Sequence, residues 1–137
     1  MSQPLLLDTC AAIWAAEDRL SPSGAELLTR YYNDDVPLFF SPITAWELGL
    51  LLSRGRIRIS RNAFEYFRRI SSLPGVQLAA MPPELLLASS FLPGTPPSDP
   101  VDRILAATAR EYGYTLMTRD RTLLAYAEEG HLHAIAC

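Results

Sequence analysis

Four carboxylates sit where chemistry is easiest to build. Asp8 follows "LLL", Glu47 lies in "SPITAWEL", Asp102 in "DPVDRILAATA", and Asp120 closes "LMTRD". At each, a stretch with strand character hands over to one with helical character. In a parallel α/β sheet the carboxyl ends of the strands line one crevice, and ligands bind there. Carboxylates gathered in one crevice repel one another and stay ionised together only around a shared cation. The spacing therefore predicts a divalent metal site and hydrolysis of a phosphorylated substrate. Mg²⁺ takes one or two carboxylates directly and keeps several waters at ~2.0–2.1 Å, which leaves the remaining acids to orient those waters. Such a site fits attack of an activated water on a phosphodiester.

Each acid also has an ordinary reading. Asp8 and Asp120 are well placed to cap the helices that follow them. Asp99 and Asp102 stand at the N-cap and third position of one helix, an arrangement that satisfies first-turn amides. Capping falls chiefly to Asp99 and chemistry chiefly to Asp102, because Asp102 lies inside the first turn and can project into the crevice. Glu47 sits among Trp46, Leu48, Leu50 and Leu51 with no basic residue four positions away on either side. Thr118, two residues before Asp120, is placed to bond a neighbouring carboxylate or a water. The recurrence of acids on one edge is what sets the metal reading above the separate caps.

Composition removes several alternatives. There are 137 residues, which fits one domain, residues 1–137, and about half are apolar, enough for a core. No apolar run approaches the ~20 residues that span a bilayer. "MSQPLLLDT" has no basic n-region, so a cytoplasmic protein is expected, with no membrane association. Cys10 and Cys137 have no CxxC or Cys/His spacing, and the histidines, His131 and His133, fall far from Cys10 in sequence. Zinc and thiol–imidazole chemistry are disfavoured. No GxSxG elbow is present. An aspartyl-phosphate mechanism wants a lysine, and in a dehalogenase-like phosphatase an acid where Cys10 stands; this chain has neither. Net charge is −3, and all twelve basic residues are arginine. Arg54, Arg56, Arg58, Arg61, Arg68 and Arg69 crowd one stretch. Arg54, Arg56 and Arg58 are candidate RNA-phosphate contacts, since guanidinium forks suit phosphate; they serve equally as a solvated face.

The elements that must position these residues alternate. "PLLLD" reads as a buried strand, "TCAAIWAAEDRL" as helix, and "GAELLTRYYND" as a helix capped by Ser21 or Ser23. "VPLFFS" is a strand, with Pro37 marking a strand start or an edge. "ITAWELGLLLSRG" is helical, with Trp46, Leu50 and Arg54 stepping by four and Gly55 as the stop. "RIRIS" is a short extended piece. Ser60 is expected to cap "RNAFEYFRRISSL", with Phe64, Phe67 and Ile70 as its apolar stripe. "GVQLAAM" is a strand, and Pro82 and Pro83 open "ELLLASSF". After the rigid "LPGTPPSD", Asp99 and Pro100 start a helix that ends at Gly113. "YTLMT", "DRTLLAYAEEG" and "HLHAIAC" follow as strand, helix and strand. The alternation predicts an α/β fold with a mostly parallel central sheet and helices on both faces.

At "LLLDTCAAIW", "SPITAWELGLLLSRGRI" and "LPGTPPSDPVDRILAATAREYGYTLMTRDRTLLAYAEEG", taken in order, the chain resembles the PIN-domain ribonucleases, and within them the VapC toxins of bacterial toxin–antitoxin pairs. The resemblance implies a PIN-like fold and endoribonuclease activity dependent on Mg²⁺ or Mn²⁺. It implies an RNA substrate and a cognate antitoxin partner, which in relatives often inserts a basic side chain into the acidic pocket. It also implies a homodimer or a toxin–antitoxin hetero-oligomer. It assigns catalysis to Asp8, Glu47, Asp102 and Asp120, the metal to Asp8 and Asp102, and supporting roles to Thr9, Asp99, Arg103 and Thr118. Two positions depart from the pattern. Relatives commonly carry His where this chain has Pro97, and many carry Lys where it has Leu51. Both bear on substrate positioning, and they keep open an alternative: a catalytically weak or silent PIN-like module that acts by binding protein.

Overall fold

A computed structural model describes residues 3–57 and 62–137. Twelve elements alternate along it: β1 (Leu5–Leu7), α1 (Thr9–Ala16), α2 (Pro22–Asn33), β2 (Leu38–Phe40), α3 (Pro42–Ser53), α4 (Ala63–Ser71), β3 (Val76–Leu78), α5 (Pro83–Ala88), α6 (Pro100–Tyr112), β4 (Thr115–Thr118), α7 (Arg121–Glu128) and β5 (His133–Ala136). The strands form one sheet in the order β3-β2-β1-β4-β5, and every adjacent pair is parallel. Strand β1 is central, with Leu6 paired to Phe39 on one side and Leu116 on the other.

The short strands hold because both faces are covered. Leu5 and Leu7 join Leu38, Phe40 and Met117 in a core shared with Ile13 of α1, Leu27 of α2, Leu48 of α3 and Ile70 of α4. Leu6 and Leu116 point the other way, into a second core with Leu105 and Ala109 of α6 and Leu123 and Tyr126 of α7. Leu5, Leu6 and Leu7 are wholly buried. At roughly 1.5–3 kcal/mol for each fully buried leucine, β1 is anchored from both sides. This is why an unbroken "LLL" reads as a strand without polar alternation.

Helix ends follow local chemistry. Asp99 caps α6, Pro100 takes its first position, and Gly113 ends it with φ 70°. Ser21, not Ser23, caps α2 through the Gly24 amide.

Several expectations need correction. Helix α1 stops at Ala16 rather than running to Leu20, because Asp18 adopts φ 55°. Strand β2 is flanked on both sides, so Pro37 marks a strand start and not an edge. Helix α4 is capped by Asn62, whose side chain accepts from the Glu65 amide, and not by Ser60. Its inward stripe is also shifted: Tyr66 and Ile70 are buried, whereas Phe64 is 82% exposed. Arg58, Ser60, Arg61 and most of "RIRIS" lie outside the described residues. Among the described residues no helix is long and apolar enough to cross a membrane.

Candidate active site

The chain leaves β1 to one side for β2 and β3, then returns to build β4 and β5 on the other side. The direction therefore switches between β1 and β4, where an open parallel sheet leaves a crevice beyond its carboxyl ends. Asp8 ends one wall and Thr118 the other. A cleft of about 600 Å³ opens there, lined by Asp8, Thr9, Cys10, Glu47, Asp99, Asp102, Arg119 and Asp120, among others. All four acids singled out in the sequence face this one space.

Asp8 is the most buried of them, at 7% exposure. One carboxylate oxygen accepts from the Ala11 amide at 2.7 Å and caps α1. The other accepts from the Thr118 hydroxyl at 2.5 Å. That hydroxyl in turn accepts the Asp120 amide at 3.0 Å, so one relay fixes the ends of β1 and β4 and the start of α7. Burial pushes the Asp8 carboxyl above its ordinary range; the bonds from Thr118 and Ala11 oppose the rise, and the charges of Glu47 and Asp120 add to it. Each oxygen has two lone pairs, so both retain room for a further ligand.

Asp102 stands at the third position of α6, its amide held by the Asp99 side chain at 3.0 Å. Burial and then the charges of Asp120, Asp99, Glu47 and Asp8 raise its carboxyl from 3.8 to about 7. Asp120 caps α7 through the Leu123 amide at 2.9 Å. Glu47 is half-buried on α3. The choice between capping and chemistry thus dissolves: Asp8, Asp99 and Asp120 cap helices and face the same cleft.

The donor set suits a hard cation. It consists of oxygens, its charges help to raise the carboxyls of Asp8 and Asp102, and among the described residues the single side-chain ion pair, His131 with Glu129, involves none of them. Among the described residues no three His, Cys, Asp or Glu side chains draw close enough to enclose an ion by themselves.

The supporting residues divide. Thr118 and Asp99 touch the acids as described. Thr9 lines the cleft, yet its hydroxyl bonds that of Thr44 at 3.2 Å, in the interior. That contact ties α1 to the helix carrying Glu47. Arg103 does not line the cleft; its guanidinium donates to the Ser89 carbonyl at 3.3 Å, joining α6 to the end of α5. Arg54 and Arg56 line a neighbouring groove with Trp46, and Arg58 lies outside the described residues. Pro97 is buried, and Leu51 lines the groove rather than the cleft.

Three residues at the cleft were missed in the sequence. Thr44 is fully buried and reaches the cleft only through its bond to the Thr9 hydroxyl. Arg119 stacks over Trp14 at 4.1 Å and donates to the Cys137 carbonyl at 2.8 Å. Arg119 is flanked by Thr118 and Asp120, which was a usable signal; Trp14 and Thr44 gave none, because their neighbours are remote in sequence. Cys10 also faces the cleft, but burial and then the charges of Asp8 and Glu47 raise its thiol to about 11. It is a poor nucleophile.

The model of one family, the PIN domain, matches residues 5–129. A relative in Mycobacterium tuberculosis, ribonuclease VapC22, is 28% identical over 124 residues, covering 89% of this chain and 91% of that protein. Among solved structures, VapBC2 from Rickettsia felis bound to a DNA fragment from its promoter superposes with TM-score 0.67 at 14% identity, covering 97% of this chain and 98% of that one. DNA-bound VapBC from Salmonella typhimurium gives 0.63 at 14% identity, with 98% of each chain covered. At such identities the structural likeness speaks to the fold.

Proposed function

The chain belongs to the PIN-domain family, and from that premise we propose that it is a metal-dependent endoribonuclease of the VapC toxin type, cutting RNA phosphodiesters and held in check by a cognate antitoxin. The observation that carries this reading is the convergence of Asp8, Glu47, Asp102 and Asp120 on one cleft at the switch point of the sheet. The relative named as a ribonuclease supports the activity. The toxin–antitoxin complexes among the structural neighbours support the partner.

Asp8 and Asp102 would hold the ion, Mg²⁺ or Mn²⁺. When bound, it supplies Lewis acidity toward a phosphodiester. Asp8 is already fixed by Thr118 and the Ala11 amide, so it is oriented before substrate arrives. Glu47 and Asp120 face the same space as acceptors and orient water there. Asp99 holds the first turn of α6 and with it the backbone of Asp102. The acidic cleft also offers an antitoxin a place for a basic side chain, which would occupy the position of the cation.

Purified protein should cleave RNA with Mg²⁺ or Mn²⁺ and stop when the ion is chelated. Asp8→Asn should cost more than the roughly 10–100-fold lost when a group supporting the ligands is removed. Chelator-resistant cleavage, or an Asp8→Asn protein as active as the parent, overturns the proposal.

A further inference from the structure

The acidic cleft is not the end of the feature. A second hollow, about 400 Å³, adjoins it and shares Glu47 and Asp99 with it. Its other walls include Trp46, Arg54 and Arg56. Trp46, Leu50 and Arg54 step by four along α3 and its C-cap, so the indole and the Arg54 guanidinium lie on one ridge, roughly 12 Å apart along the axis. Trp46 is 56% exposed, unusual for a tryptophan on a helix whose Leu48 is buried. Among the described residues neither arginine has a carboxylate at ion-pair distance. An exposed aromatic face beside two guanidinium groups is the combination that holds single-stranded nucleic acid: bases stack on the ring, and phosphates pair with the cations. The acidic cleft repels a polyanion, and the arginines put positive charge directly beside it.

We propose that this groove is the track for the single-stranded RNA flanking the scissile phosphate, with one base stacked on Trp46 and the adjoining backbone on Arg54 and Arg56. The inference rests on the ribonuclease reading for its substrate class. The groove joins the cleft at Glu47, so a strand whose phosphate sits among the acids continues over Trp46. Duplex RNA keeps its bases stacked on one another and cannot use the ring in this way.

The test separates binding from cleavage. Full-length protein is titrated in chelator with a mixed-sequence single-stranded oligoribonucleotide and with its duplex, following tryptophan fluorescence and anisotropy. Trp46→Leu should weaken single-strand binding about tenfold, and Trp46→Phe should recover most of that loss. The part of the quench that comes from Trp46 should be lost in both variants, leaving only what Trp14 at the cleft reports. Arg54→Ala and Arg56→Ala should each lower the slope of log affinity against log salt by about 0.7. With Mn²⁺ restored, Trp46→Leu should raise KM and leave kcat nearly unchanged.

Single-strand affinity unchanged in a folded Trp46→Leu protein overturns the proposal. So does a switch of that variant from dimer to monomer with RNA affinity intact, since the ridge would then be a contact between copies. Wild-type protein that binds and is quenched by RNA, yet does not cleave it with Mg²⁺, Mn²⁺ or any other divalent ion tried, upholds the groove while removing the nuclease reading.

Discussion

Asp102 carries an energetic conflict that fixes a pH dependence. Its folded-state pKa of about 7 stands above the ordinary 3.8 because burial and four neighbouring acids disfavour the charge. Between those two values the folded state binds more protons than the unfolded chain, so metal-free stability falls as pH rises from about 4 to about 7 and then levels. Asp102→Asn removes this contribution. In chelator at pH 8 it should be more stable than the parent by about 1–2 kcal/mol, a figure discounted for the part exposure of the group, and the gain should vanish near pH 4. Thermal melts at the two pH values check this; a variant less stable than the parent at pH 8 contradicts it. The four acids were legible because each stands where strand character hands over to helical character. The Asp8–Thr118 bond was half legible, since Thr118 was marked as a donor whose acceptor lay 110 positions away. Trp14 under Arg119 was not legible at all, because a cation over a ring is a contact between elements that no local pattern encodes.

Helix ends are the elements' contribution to the site, and α6 is the clearest case. The Asp99 carboxylate accepts the Asp102 amide, so one bond both starts the helix and fixes the residue in the cleft. Asp99→Ala should cost about 1 kcal/mol and loosen that first turn, whereas Asp99→Ser, which keeps a capping oxygen, should restore most of the stability. Denaturant midpoints for the two variants decide the matter; equal losses would mean that the carboxylate's charge, not the cap, holds the turn. The sequence announced this helix through Asp99–Pro100 and Gly113, both of which act within a few residues. Helix α4 was harder to read, because its inward face is chosen by partners. The Tyr66 hydroxyl reaches the Ile13 carbonyl and Glu17, and Arg69 reaches the Ala16 carbonyl. Those contacts with α1 turn Tyr66 inward and leave Phe64 in solvent, although 64, 67 and 70 form an equally regular apolar series.

At the scale of the molecule, the sheet order makes the cleft. Because β1 lies between β2 and β4 and all strands run the same way, residues from positions 8, 47, 102 and 120 meet beyond the carboxyl ends of the strands. The same convergence leaves the metal-free fold carrying uncompensated repulsion. A cation that binds only the folded state should therefore stabilise the whole chain, by about 2.7 kcal/mol at a hundred times its dissociation constant. For a chain of 137 residues that is a rise in Tm on the order of 10 °C. Protons compete for the same oxygens, and Asp8 and Asp102 both hold theirs more tightly than an ordinary aspartate. The metal-induced rise should accordingly be small at pH 5 and full at pH 8. It should shrink sharply in Asp102→Asn, whose metal-free form is already relieved of repulsion. Monovalent salt should raise the metal-free Tm by screening the acids, but without the dependence on Asp102 that marks a bound ion. Thermal melts over a Mn²⁺ titration at two pH values separate these effects. A Tm that responds to Mn²⁺ equally in the parent and in Asp102→Asn would move the ion away from this cleft.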